Sequence, residues 1–136
     1  KLRYKINLQQ NEKNLKIIGN SNNLVQVFDN IIDNSFSIIG KNCKIKIKVF
    51  SKDNKIFILF EDNGPGFPKN TINKIFDRFY TDRSNEKDFG KHSGLGLSIS
   101  KQIISAHNGK IFAENILNKT KKIVGARVNI VIKNKF

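Results

Sequence analysis

Lys44-Ile-Lys-Ile-Lys-Val-Phe-Ser-Lys-Asp-Asn-Lys-Ile-Phe-Ile-Leu-Phe-Glu-Asp-Asn-Gly-Pro-Gly66 contains a run that alternates lysine with aliphatic residues, a short polar break and a second apolar run. Alternation with a period of two marks a strand with one face in a core and the other in water. Lys44 to Ser51 and Lys55 to Glu61 are therefore expected to form a hairpin about Lys52-Asp-Asn54. The second strand runs into Asp62-Asn-Gly-Pro-Gly66, a dense turn cluster. So short a break joins antiparallel strands, whereas a parallel, doubly wound sheet would need a helical crossover there.

On the N-terminal side, Leu2 to Leu8 and Leu15 to Ile18 read as two short strands. Gly19-Asn-Ser-Asn22 then breaks the pattern and offers N-cap side chains. Leu24, Val27, Phe28, Ile31, Ile32, Ser35 and Ile38 follow at helical spacing, predicting a helix from Asn23 to Ile39 that stops at Gly40-Lys-Asn42. On the C-terminal side, Thr71 to Phe79 reads as a short helix. Tyr80 to Ser93 has no apolar period, and a loop of that length in a compact domain is usually functional. Leu95 to His107 predicts a second long helix, closed by His107-Asn-Gly109 in an αL-type stop. Lys110 to Asn115 and Val124 to Ile132 are expected as two closing strands. The order β-β-α-β-β-(α)-loop-α-β-β predicts an α+β fold: a two-layer α/β sandwich with a mixed, largely antiparallel sheet and its helices on one face.

The chain has 136 residues, of which 38% are hydrophobic, which fits one domain spanning 1–136 with one core. Nothing approaches the apolar run of about 18 residues that a membrane span needs. A start at Lys1, without Met or a signal-type segment, reads as an excerpt of a longer protein. One cysteine, Cys43, excludes an internal disulfide and suits a reducing compartment. No Cys/His cluster has metal spacing. The net charge of +14 admits a polyanion partner, namely nucleic acid, acidic lipid or phosphate. The lysines are scattered, and no nucleic-acid motif accompanies them, so the charge reads as compositional bias and no nucleic-acid partner is expected.

Three constellations carry chemistry. Asn30 and Asn34 lie one turn apart on the first long helix and face the same way. A carboxamide oxygen suits Mg²⁺, which takes few protein ligands beside phosphates and water. In Asp62-Asn-Gly-Pro-Gly-Phe67, the carboxylate ends a strand and can accept a hydrogen bond from an exocyclic amine. Gly64 and Gly66 let backbone approach a ligand. Ser93-Gly-Leu-Gly-Leu97 opens the second long helix, where free N–H groups and the helix dipole favour phosphate. Each pattern alone fits ordinary amides, turns and glycine-rich helix starts. Neither G-x-G-x-x-G nor G-x-x-x-x-G-K-[ST] is present.

Together, in this order, they resemble the ATP-binding (Bergerat fold) catalytic domain of bacterial two-component sensor histidine kinases, in the superfamily of gyrase, Hsp90 and MutL ATPases. Leu24 to Asn34 resembles the N box, Asp62 to Gly66 the G1 box, Ile75 to Tyr80 the F box and Ser93 to Ile104 the G2 box, followed by Ala106-His-Asn-Gly109. Arg78-Phe-Tyr-Thr-Asp-Arg83, with Phe89-Gly90, is similar to the envelope-sensing kinases of alphaproteobacteria. The resemblance implies Asn34 as Mg²⁺ ligand, Asn30 beside the phosphates and Asp62 on the adenine amine, with Gly64 and Gly66 shaping the pocket. It implies an ATP lid at about 80–93 that includes Tyr80, with Arg83 and Lys91 reaching the phosphates and Phe76 and Phe79 at its root. Gly94, Leu95, Gly96 and Leu97 would cradle the phosphate tail. ATP and Mg²⁺ are the implied cofactors. A dimerisation domain bearing the acceptor histidine and a response regulator are the implied partners. A cytoplasmic position in a protein held in the bacterial inner membrane is implied as well, with this domain outside the bilayer.

The pattern departs from the family at Ser37 and Ile38, where a basic residue and an aromatic are usual, and at His92, where a glycine is common. These leave a phosphate contact and an aromatic wall unsupplied. Neither His92 nor His107 has the sequence context of an acceptor. Hydrolytic relatives place a Glu at position 30 to activate water; Asn30 cannot act as a general base. The same residue disfavours a serine kinase of the anti-sigma-factor type. A non-enzymatic, degenerate basic module stands as the remaining alternative.

Overall fold

Residues 44–62 fold as the expected hairpin, and the sheet is built around it. The computed structural model of the chain describes residues 5–10, 15–78 and 96–134. Five strands, β1 (Lys5–Gln10), β2 (Lys44–Lys52), β3 (Lys55–Asp62), β4 (Lys110–Leu117) and β5 (Ile123–Lys133), join two helices, α1 (Ser21–Ile39) and α2 (Gly96–Ala106). The sheet order is β1-β2-β3-β5-β4. β1 runs parallel to β2 and every other pair is antiparallel, so the sheet is mixed and largely antiparallel. The β2–β3 turn needs two left-handed residues, which Asp53 and Asn54 supply at φ 53° and 64°.

The period-two pattern decides which face is covered. Ile56, Ile58 and Phe60 of β3 and Val128, Ile130 and Ile132 of β5 point into one core with Leu24, Val27 and Ile31 of α1 and Ile104 of α2. Both helices therefore lie on the same side of the sheet, making two layers. A smaller cluster of Phe67, Ile75 and Ala126 closes the end near the turn cluster, and Phe76 and Leu97 pack against both clusters.

α1 begins at Ser21 rather than Asn23 because Asn20 is the cap, its side chain accepting from the N–H of Asn23. At the same end of the helical layer, beside Asn20, α2 stops through Asn108, at φ 58°, and the N–H of Gly109 donates to the carbonyl of Ile104. Asparagine thus takes the left-handed position and glycine follows it.

Two expected elements are not formed. Leu15 to Ile18 has no strand partner. Leu15 and Ile17 do pack against the core, but Ile18 is 74% exposed, so the segment alternates without joining the sheet. Thr71 to Phe79 is not an α-helix within the described residues. The carbonyl of Pro68 accepts from the N–H groups of Thr71 and Ile72, and a single 3₁₀ turn follows at Ile72–Lys74. Burial of Phe67 and Ile75 in their own small cluster favours this tight path over a regular helix.

Candidate functional site

The end of β3 brings the turn cluster against the last turns of α1. Asp62 is the centre of this corner. Its Oδ1 accepts from the N–H of Gly64 at 2.9 Å and of Ala126 at 3.1 Å, and its Oδ2 accepts from the Ser35 hydroxyl at 2.8 Å. Ser35 is 7% exposed, so this bond is sheltered from water. A carboxylate offers about four acceptor positions. Three are taken by donors among the described residues, which fixes the group and leaves one position for an incoming donor.

The glycines behave as close-approach residues. A Cβ on Gly64 would lie 2.8 Å from Cγ1 of Ile39, so the chain passes directly over that side chain. Gly66 takes φ +76°, and a Cβ there would meet Oδ1 of Asn115 at 2.6 Å. That Asn115 side chain grips the next residue from both sides: its Oδ1 accepts from the N–H of Phe67 at 2.7 Å, and its Nδ2 donates to the carbonyl of Phe67 at 2.8 Å. Asn63 ties the same loop to the start of β2, accepting from the N–H of Lys44 and donating to the carbonyl of Asn42.

The two amides of α1 differ in what they do. Nδ2 of Asn30 donates to the carbonyl of Gly96 at 3.1 Å and to the Ser100 hydroxyl at 3.4 Å, while that hydroxyl donates to the Gly96 carbonyl at 2.9 Å. Asn30 thereby binds α1 to the first turn of α2. A Cβ on Gly96 would stand 3.7 Å from Cγ of Asn30, an ordinary contact, so the glycine leaves this side open. Asn34 is half-buried and its side chain forms no hydrogen bond to another described residue. No group of three or more His, Cys, Asp or Glu side chains able to hold a metal occurs among the described residues. A neutral amide oxygen without a partner among the described residues fits Mg²⁺ carried largely by phosphate and water, and does not fit an all-protein cage.

Asn30, Asn34, Asp62, Gly64, Gly66, Gly96 and Leu97 are all half-buried. Tyr80, Arg83, Lys91, Gly94 and Leu95, together with Phe79, His92 and Ser93, lie outside the described residues. Ile38 is half-buried in the last turn of α1, but the apolar side chain against Gly64 is its neighbour Ile39. Ser35, Ile39 and Asn115 were not read from the sequence as site residues. Ser35 falls on the apolar face of the helix in the sequence, and a serine within such a face is the signal for it.

Cys43 sits close behind, 2% exposed; burial, and then the charge of Asp62, push its thiol above the usual range, so it stays protonated at neutral pH. His107 lies at the opposite end of the helical layer. Its Nδ1 is 2.7 Å from the carbonyl of Ile103 and its Nε2 accepts from the N–H of Asn20 at 3.0 Å, so the partners place the proton on Nδ1.

Residues 19–135 match the model of the family described as histidine kinase-, DNA gyrase B-, and HSP90-like ATPase. The sensor protein ChvG of Rhizobium meliloti is 46% identical over 103 residues, which are 75% of this chain and 18% of that protein. The chain thus spans less than a fifth of the length of this relative. The nucleotide-free catalytic domain of the histidine kinase ThkA superposes with a TM-score of 0.78 at 28% identity, covering 96% of this chain and 78% of that one. ThkA in a complex with the response regulator protein TrrA gives a TM-score of 0.75 at 26% identity over 97% of this chain and 34% of that one.

Proposed function

The chain belongs to the histidine kinase-, DNA gyrase B-, and HSP90-like ATPase family, and from that premise we propose that it binds Mg-ATP and donates the γ-phosphoryl group to a histidine on a separate dimerisation domain. The observation that carries the reading is Asp62, whose carboxylate is held by three donors and has one acceptor position left for the adenine amine. A site built to pair with an exocyclic amine discriminates against bases lacking it, because a buried acceptor would be left unpaired.

In this reading each residue has a limited task. Asp62 fixes the base, Gly64 and Ile39 form the wall beneath it, and Asn115 holds the loop that closes that end. Asn34 offers its amide oxygen toward the phosphates, and Asn30 keeps the start of α2 in register with α1. Bound Mg²⁺ would neutralise phosphate charge. The protein contributes positioning and charge compensation, which is most of what phosphoryl transfer requires. Arg83 and Lys91 would add cations from the lid, and Gly94, Leu95, Gly96 and Leu97 would cradle the phosphate tail.

The hydrolytic alternative is disfavoured by Asn30. Its amide nitrogen is already committed to the Gly96 carbonyl, and an amide cannot take a proton from water. Likeness to ThkA, solved with its response regulator, supports a response regulator as downstream partner. A cytoplasmic position in a protein held in the membrane belongs to the same proposal; no helix among the described residues is long and apolar enough to cross a membrane.

Incubation with γ-labelled ATP and Mg²⁺ tests the transfer. The chain alone should stay unlabelled, and label should appear on an added dimerisation domain carrying its acceptor histidine. Efficient labelling of the chain alone, or steady release of phosphate into solution, would contradict the assignment.

A further inference from the structure

The helices and the open face of the sheet differ sharply in charge. α1, 19 residues long, contains no lysine or arginine and carries Asp29 and Asp33; α2 has Lys101 alone. A compositional bias toward lysine would spread it over the exposed positions of every element, yet α1 exposes Ser, Asn, Gln, Asp and one valine, Val25, instead. The lysines gather on the sheet face turned away from the helices. There Lys52 stands directly opposite Lys55, and Lys55 directly opposite Lys133. Lys110 of β4 faces Val131, diagonal to Lys133. Like charges in directly opposed positions of a sheet destabilise it.

The carboxylates of this face do not relieve that row. Glu61 is taken by Lys48 at 3.2 Å and Arg127 at 2.7 Å, and Glu114 by Arg127 at 3.0 Å, at the far end of the strands. Lys52, Lys55, Lys110 and Lys133 are exposed and form no ion pair among the described residues. Between them lies a cavity of about 280 Å³ lined by Lys55, Lys110 and Lys133 with Asp53, Asn54 and Asn108. It is a concave spot with three ammonium groups against one carboxylate.

We infer that this face docks on an anionic phospholipid surface, with phosphate headgroups seated along the lysine row. Nucleic acid fits less well. Among the described residues no helix lies on this face to enter a groove, since both pack on the other side of the sheet. Phe50 and Phe57 are half-buried and stacked on one another, centroids 5.1 Å apart and planes 5° apart, which leaves Phe112, 47% exposed, as the open ring of this face among the described residues. Stacking platforms for single strands need successive open rings. The row lies at the Lys55 end of β3, about 24 Å along the strand from Asp62. Lipid contact at that end therefore leaves the corner around Asp62 accessible, and the inference stands whether or not that corner takes ATP.

The test is co-sedimentation of the 136-residue chain with vesicles of phosphatidylcholine mixed with phosphatidylglycerol, against phosphatidylcholine alone, at low and high salt. Binding should occur on the anionic vesicles only and weaken with salt. The K52Q/K55Q/K133Q variant should lose about a hundredfold in affinity, at about fivefold per lysine. The K119Q/K121Q/K122Q variant, with the same net charge but altered at the β4–β5 hairpin, should lose little. Thermal melting should find both variants folded. Equal losses in the two variants, no binding to anionic vesicles, or tighter binding to a duplex or single-stranded oligonucleotide at the same salt would each overturn the inference.

Discussion

The Ser35 hydroxyl donates to Oδ2 of Asp62 across 2.8 Å, joining the buried face of α1 to the end of β3. Serine is a weak helix former, and its presence between Ile31 and Ile39 on the inward side is explained by this one bond. It makes the orientation of the carboxylate a property of the helix rather than of a mobile loop.

Ser35→Ala should therefore act on nucleotide affinity as well as on stability. Losing one partner of a sheltered carboxylate costs about 1–3 kcal/mol. Binding of a fluorescent ATP analogue should weaken by about tenfold, while Ser35→Thr, which keeps the hydroxyl, should recover part of it. Unchanged binding in the alanine variant would remove Ser35 from the site.

Asn115 offers a test of the loop. Its two bonds to Phe67 need one acceptor and one donor. Asn115→Asp keeps the acceptor and turns the donor into a second acceptor facing a carbonyl. Its destabilisation by urea should reach about 2 kcal/mol and match or exceed that of Asn115→Ala, because the aspartate adds repulsion where alanine only leaves a gap.

Glu61 sets a pH dependence. Burial pushes its carboxyl up, but the hydrogen bonds from Arg127 and Lys48 and their charges outweigh this and hold it below the usual range. A folded pKa below the unfolded value of about 4.3 means that the contribution is fully present above that pH and is lost as pH falls through the folded value. Melting temperature should drop on acidification below about pH 4.3, and Glu61→Gln should lower it at neutral pH and flatten that acid limb.

Asn30→Asp probes the junction of the helices. The substitution places an acceptor where Asn30 now donates to the Gly96 carbonyl and Ser100. Hydrogen exchange in the first turn of α2 should speed up, because a carboxylate cannot donate to the Gly96 carbonyl as the Asn30 amide does.

Most of the fold was legible because its signals are local. The alternation of Lys44 to Val49, the helical spacing from Leu24 to Ile38 and the turn at Asp53-Asn54 each specify an element without help from distant residues. The failures have a shared cause. Leu15 to Ile18 alternates correctly, yet a strand also needs a neighbour, and the sequence does not say which edge is free. Thr71 to Phe79 has a helical composition, but burial of Ile75 in a separate small cluster pulls it into a tight turn. At the site, Asn30, Asn34, Asp62 and the glycines stand out as unusual residues in regular patterns. Asn115 and Ile39 do not, because each acts on a residue far away in the chain or across a turn, and only the folded sheet brings Asn115 to Phe67.

The most direct measurement is the affinity of a non-hydrolysable ATP analogue with Mg²⁺ for the wild-type chain and for Asp62→Asn. The variant should fold, since its amide oxygen can still accept from the N–H groups of Gly64 and Ala126 while the Ser35 hydroxyl turns to accept from the new NH₂. The position left for the adenine amine then loses the carboxylate's charge and acceptor capacity, and affinity should fall by about a hundredfold or more, equivalent to about 3 kcal/mol. Tight binding to the wild type with equal binding to a folded Asp62→Asn variant would contradict the account.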